Sequence, residues 1–296
     1  MTGEDSSAIA AHCETVREWA RAGGPLSPTS DRATVNNRDW FVREPDGVDR
    51  PRAARRQLHD RLVAAWSPPT ATSSPTSARS GRRSSSLARP GPGSRPCSRT
   101  CSAPTAAFTV DADEFKRALL TEAIKDGSYD RAIMPSEVRA AEAAGERFFP
   151  LELASLVHEE SSQLAIRVRN EAVRDGLNVV IDTVLSSPEK AVELGQRLGS
   201  VGYSVEVIDV EVPFELSESR IAGRWQQSYE RALDGADELG GRWVPSEYAR
   251  GVYAGPRRPL PPRGRRRAAG RHRTDRYALP ALQHLRRRAA AHARRR

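Results

Sequence analysis

The sequence predicts an α/β fold, a mostly parallel sheet flanked by helices, with a helical segment before it and a disordered Arg-rich tail after it. Three observations predict this. Between Phe108 and Leu233, short apolar strand patterns alternate with helical patterns. Residues 67–107 and 254–296 show neither period and are rich in Arg, Pro and small residues. The charge divides along the same lines. The chain carries +9 overall, but residues 67–107 hold six arginines and no acid (+6), and residues 251–296 hold fifteen arginines and one acid, Asp275 (+14), which leaves −11 for the rest.

The elements follow in order. Within residues 1–66, VREWARAGG reads as a helix stopped by glycine, and PRAARRQLHDRLVAAW as an amphipathic helix with Leu58, Leu62, Val63 and Trp66 on one face. Residues 67–107 have the composition of a disordered stretch. FTVDADEFKRALLTEAI then reads as strand, turn and helix. ELASLVHEESSQLAIRVRNEAVRDG is one long helix ending at Gly176, and LNVVIDTV is an apolar strand. SSPEKAVELGQRLGSVG has a Ser cap, an early Pro and a terminal Gly, the signature of a helix. YSVEVIDVEV reads as another strand and ELSESRIAGRWQQSYERAL as another helix. Alternating strands and helices imply right-handed βαβ units. Ligands of such sheets bind off the carboxyl ends of the strands. Those ends carry Asp111 and Asp113, then Asp182 and Thr183, then the loop after Val212.

Composition excludes several classes. No apolar run is long enough to span a bilayer, and no signal-like apolar stretch follows the N-terminus, so no membrane partner is expected. Three cysteines, Cys13, Cys97 and Cys101, favour a cytoplasmic setting over a disulfide framework. Cys97 and Cys101 have no second ligand pair, so no metal site is read there. The basic balance belongs to two low-complexity stretches. Without interleaved aromatics or a binding motif, it does not make a nucleic-acid partner the expected one.

The residues able to carry chemistry are few. A carboxylate at the mouth of a parallel sheet accepts a proton from a hydroxyl or holds Mg2+. DADEFK places Asp111 and Asp113 there, although both could equally cap the following helix. Arg224 lies on a helix in IAGRW, and Arg242 follows two glycines in LGGRWVP, where a loop can approach a ligand. Guanidinium groups near a triphosphate stabilise charge in phosphoryl transfer. HEESS, at 158–162, reads from the residues alone as a polar helical face, and the absence of HExxH excludes a zincin.

VDADEFK, ELASLVHEESS, NVVIDTVLSS, DVEVP, RIAGRW and GGRWVPSEYAR, in that order, resemble the zeta-toxin family over residues 108–253. The resemblance implies a P-loop kinase-like fold and an ATP- and Mg2+-dependent phosphotransferase. Its acceptor would be the 3′-hydroxyl of the sugar in UDP-N-acetylglucosamine, and its protein partner a small antitoxin. Residue by residue, Asp113 matches the catalytic base, and Arg224 and Arg242 match the two arginines that engage the ATP phosphates. Glu159, Glu160 and Thr183 lie where the family contacts its nucleotide sugar, and Asp111 is taken with them as a candidate substrate contact. The rival readings are a kinase of another small molecule such as an antibiotic, a basic nucleic-acid-binding protein, and a non-catalytic remnant.

One family element is missing. A GxxxxGK[ST] loop, whose amides cradle the phosphates and whose Lys reaches them, should precede DADEFK, and the chain contains none. In its place stands ARPGPGSRPCSRTC. Read one base earlier, each intended codon joins the last base of one codon to the first two of the next. Ser84 to Leu87 then permits three successive codons of the Val/Ile/Leu/Phe group, a buried strand. Leu87 to Ser98 permits Gly-Pro-Ala-Gly-Ala-Gly-Lys-Ser-Thr-Val-Leu, which fits GxxxxGK[ST]. The Arg-rich tail fits an Ala/Glu-rich helix read out of frame. The expectation is therefore a zeta-toxin-like domain whose phosphate loop and C-terminus are frameshifted, and whose kinase activity is impaired.

Overall fold

The computed structural model describes residues 3–66, 107–184, 187–207, 212–245 and 250–251. The expectations placed on 67–106 and on the tail from 252 lie outside the described residues. Among the described residues the fold is mostly helical, with two small sheets.

Helix α1 spans Gly3–Trp19 and is followed by turns in which Gly23 takes a left-handed φ of 81°. A short antiparallel pair, β1 (Phe41–Arg43) with β2 (Asp49–Pro51), comes next. The purely helical reading of residues 1–66 missed it, because three-residue strands carry almost no periodic signal. Helix α2, Ala53–Trp66, buries Leu58, Leu62 and Val63 as its pattern predicts, and also Arg55 and His59.

Strand β3 (Phe108–Asp111) runs directly into helix α3 (Ala112–Lys125) with no intervening turn. Helix α4, Ser136–Ala143, follows. The long helix expected over 152–176 divides in two. Pro150–Val157 is a tighter, three-residue-per-turn segment, and α5 runs from His158 to Arg174, with Gly176 at φ 73° beyond it. Leu151, Leu153, Leu156 and Val157 are buried all round the tight segment, so it threads the core rather than lying on it. Strand β4, Val179–Asp182, pairs in parallel with β3, and Asp111 is opposite Asp182. Helix α6, Pro188–Ser200, is capped by Ser187, whose hydroxyl accepts from the Lys190 amide at 3.3 Å. Helix α7 spans Phe214–Leu233.

The strand expected over 203–212 does not form at 203–207, and 208–211 lie outside the described residues. Val205 and Val207 are exposed, and β3–β4 is the one parallel pair among the described residues. A parallel sheet is normally covered on both faces by its crossovers. Here Val180 is 50% exposed on β4.

The core lies between α3, α5, the tight segment and α7. It is shared with residues from α1 and α2: Ile9, Val16, Leu58, Leu62 and Val63 join Phe115, Leu119, Leu156, Leu164 and Trp225. Two buried glutamates rivet the N-terminal segment to this core. Glu160 of α5 receives Arg55 in a bidentate pair at 2.6 and 2.8 Å, and His59 Nε2 sits 2.7 Å from its Oε1. Arg55 also stacks over Trp40, 4.1 Å from the ring centre. Burial alone would raise the pKa of Glu160, but the His59 hydrogen bond and the Arg55 charge overcome it and hold the carboxyl at about 2. Its contribution to stability is therefore present above the ordinary glutamate value and is lost as pH falls toward 2. Replacing it by Gln leaves the Arg55 charge buried without a counter-charge. Glu160→Gln should destabilise the fold by about 3 kcal/mol, read as a lower urea midpoint at unchanged slope.

Candidate functional site

The site forms where β3 ends. Asp111 accepts a hydrogen bond from the Asp113 amide at 2.8 Å through its side chain, and so caps α3. The capping role weighed for Asp111 is the one seen. Asp113, one position into the first turn, turns its carboxylate outward and is 42% exposed. Its Oδ1 accepts from two cations: Lys116 Nζ at 3.0 Å, three residues along α3, and Arg242 Nη1 at 2.6 Å, 129 residues away.

Arg242 is brought there by packing. Gly240 has φ 73°, and a Cβ on it would stand 2.3 Å from Phe149 Cβ. A Cβ on Gly241 would stand 2.4 Å from the Trp225 carbonyl oxygen. The glycine pair therefore lets the loop approach Phe149 and the α7 backbone, rather than the ligand that the sequence led us to expect. The Leu151 amide donates to the Leu239 carbonyl at 2.8 Å and fixes the same loop. Trp225 and Trp243, the two tryptophans that follow the candidate arginines, meet edge to face at 6.0 Å.

Electrostatically, the cluster gathers two carboxylates and two cations. Lys116 is 6% exposed. Burial lowers its pKa, and the charge of Asp113 works against that fall. His158, at the start of α5, is pushed down to about 4 by burial and then by the charge of Lys116.

The other candidates are placed as follows. Thr183 is exposed, one residue beyond the Asp111–Asp182 pair, at the same end of the sheet as Asp113. Glu159 is exposed on the first turn of α5. Glu160 is fully buried and occupied by Arg55 and His59, so HEESS is not simply a polar face. Arg224 is exposed, its Nε donating to the Arg220 carbonyl of its own helix at 3.3 Å. The structure thus joins Asp111, Asp113 and Arg242, and leaves the Arg224 guanidinium outside that contact. Sequence reasoning missed Lys116, whose available signal was its i+3 spacing from Asp113 inside DADEFK. It also missed His158. Among the described residues, no cluster of His, Cys, Asp and Glu is built to hold a metal ion, and no helix is long and apolar enough to cross a membrane.

Residues 138–260 match the family model for zeta toxin. The matched stretch contains Glu159, Glu160, Thr183, Arg224 and Arg242, and begins after Asp113 and Lys116. No curated protein and no solved structure matches the chain. Zeta toxins are a P-loop kinase-like family, and over that stretch, which is less than half of the chain, the sequence is similar to theirs.

Two measurements check this geometry. Gly241→Ala forces the loop off Trp225 and should cost about 1–3 kcal/mol, as overpacking does, seen as a lower melting temperature with a changed near-ultraviolet tryptophan signal. In a proton NMR titration, His158 should protonate at about 4 rather than near the ordinary 6.5. Because its folded value is depressed, stability should fall as pH drops through that interval. A His158 midpoint above 6 would contradict the burial of His158 beside Lys116.

Proposed function

We propose that this chain is a zeta-toxin-type phosphotransferase that retains the acceptor half of its site. The supporting observation is the pairing of Asp113, at the carboxyl end of β3, with Arg242 at 2.6 Å. Asp113 accepts the proton of the attacking hydroxyl. Arg242 holds a guanidinium beside that base, where it could also meet the negative charge of the transferring phosphoryl oxygens. The acceptor is the 3′-hydroxyl of the sugar in UDP-N-acetylglucosamine, with Thr183, Glu159 and Asp111 as nearby polar groups. In the cell the protein works in the cytoplasm as the toxin of a toxin–antitoxin pair, restrained by a small antitoxin.

ATP with Mg2+, when bound, supplies the electrophilic phosphoryl group. The residues present fit the acceptor and not the nucleotide. Asp113, Lys116 and Arg242 suit a hydroxyl beside a phosphate, but the chain contains no GxxxxGK[ST] loop to cradle phosphates. We attribute that to a frameshift across 67–107, and the Arg-rich tail to a second one.

Calorimetry on the chain as written should give ATP binding weaker than about 1 mM, the level of a few unorganised contacts; micromolar binding would overturn the impairment. A gene with the frame restored should give phosphoryl transfer to the nucleotide sugar, and Asp113→Asn should lower its kcat by about 100- to 10,000-fold. Transfer unaffected by Asp113→Asn would refute the assignment of the base.

A further inference from the structure

We propose that Lys116 is a positioning residue for Asp113, holding the carboxylate by one oxygen so that the other faces the substrate hydroxyl. This rests on the phosphotransferase reading given above. Three observations carry it.

First, both cations meet the same atom. Lys116 Nζ and Arg242 Nη1 both donate to Asp113 Oδ1, at 3.0 and 2.6 Å, while the Asp113 amide is tied to Asp111. The grip of both cations falls on one of the two carboxylate oxygens. A carboxylate gripped this way cannot turn about its side-chain bonds without breaking two charge-assisted hydrogen bonds.

Second, Lys116 is buried to 6% exposure. An i,i+3 ion pair on an open helix surface contributes little and constrains little. A buried lysine has lost its rotamer freedom and sits where an unpaired ammonium would be costly. Its burial pins the ammonium beside Asp113. The charged groups around it are Asp111, Asp113 and Arg242, and burial plus the nearby Lys116 charge keep His158 neutral near pH 7.

Third, the two cations differ in exposure. Arg242 hangs from a loop and is 30% exposed, whereas Lys116 stands on α3, the helix that carries Asp113. If Arg242 turns toward a phosphate, Lys116 still holds Oδ1. The division of labour is a buried cation that orients the base and a more exposed one that can also reach the reacting group.

The test needs no turnover. In the full chain labelled with 13C and 15N, the three-bond couplings from Asp113 Cγ to its own amide nitrogen and carbonyl carbon report its χ1 rotamer. The unaltered chain should show one staggered rotamer. Lys116→Met, which keeps the buried stem and removes the charge, should show averaging over several, and Lys116→Arg should restore one. Lys125→Met, which breaks an exposed pair with Glu122 on the same helix, should change nothing. Retention of the single rotamer in Lys116→Met would overturn the proposal. Should Lys116→Met fail to fold, a solid-state dipolar contact between Asp113 Cγ and Lys116 Nζ in the unaltered chain decides: its presence supports the clamp and its absence overturns it. A clamped Asp113 in a frame-restored enzyme that transfers no phosphate would defeat the phosphotransferase reading alone. A freely rotating Asp113 in an active one would defeat this proposal alone.

Discussion

Glu152 is fully buried, and much of the structure is arranged around it. Its Oε1 accepts from the Trp225 indole at 3.0 Å and lies 2.9 Å from His12 Nε2, while Oε2 accepts from the Phe149 amide at 2.8 Å. Burial pushes the Glu152 carboxyl upward, and its three hydrogen-bond partners and the His12 charge oppose that. His12, which burial alone would lower, is raised by Glu152 and by Glu146, whose carboxylate lies 2.5 Å from Nδ1. One buried carboxylate thereby ties α1, the Phe149 turn and α7 together. Such a charge is tolerated because both of its oxygens are hydrogen-bonded and a histidine stands beside it.

The site inherits its geometry from that hub. Trp225, fixed by Glu152, is the surface against which Gly241 lies, and Trp243 leans on it from the other side. Arg242 stands between Gly241 and Trp243, so its path to Asp113 is set by core packing and not by the charges it meets. A second buried acid, Glu160, plays the same part for α2 through Arg55 and His59. The N-terminal segment is thus part of the core of the described fold. Neither arrangement resembles a surface ion pair, where loss of one partner costs little.

Much of this was legible in the sequence where patterns are local. The apolar run of VVID, the Ser-Pro opening of α6 and the glycine stop after α5 each act within one turn, and each element appears as its residues indicate. Asp113 at a strand end and Arg242 after two glycines were also readable, because strand–helix junctions and glycine pairs announce themselves. What the pattern did not carry was long-range. Nothing near Glu160 indicates that Arg55, 105 residues away, will occupy it. Nor does GGRW reveal that its glycines answer to Phe149 and Trp225. Lys116 was hidden for a different reason: on a helical wheel it is one more charged residue, and only the fold shows it to be buried. The strand expected at 203–207 fails because a strand depends on a neighbour, which its own alternation cannot supply.

The same dependence explains the half-exposed β3–β4 pair. Val180 on β4 and Val184 just beyond it are open to solvent, whereas parallel sheets are normally larger and covered on both faces. The stretch that reads one base earlier as an apolar strand and a phosphate loop lies in the sequence between α2 and β3. The nucleotide sequence of the gene between the codons for Trp66 and Phe108 tests the central claim most directly. The account predicts that an alternative frame there encodes three or more consecutive Val, Ile, Leu or Phe codons followed at once by GxxxxGK[ST]. If no frame encodes that loop, the chain is not a frameshifted kinase, and the pairing of Asp113 with Lys116 and Arg242 requires another explanation.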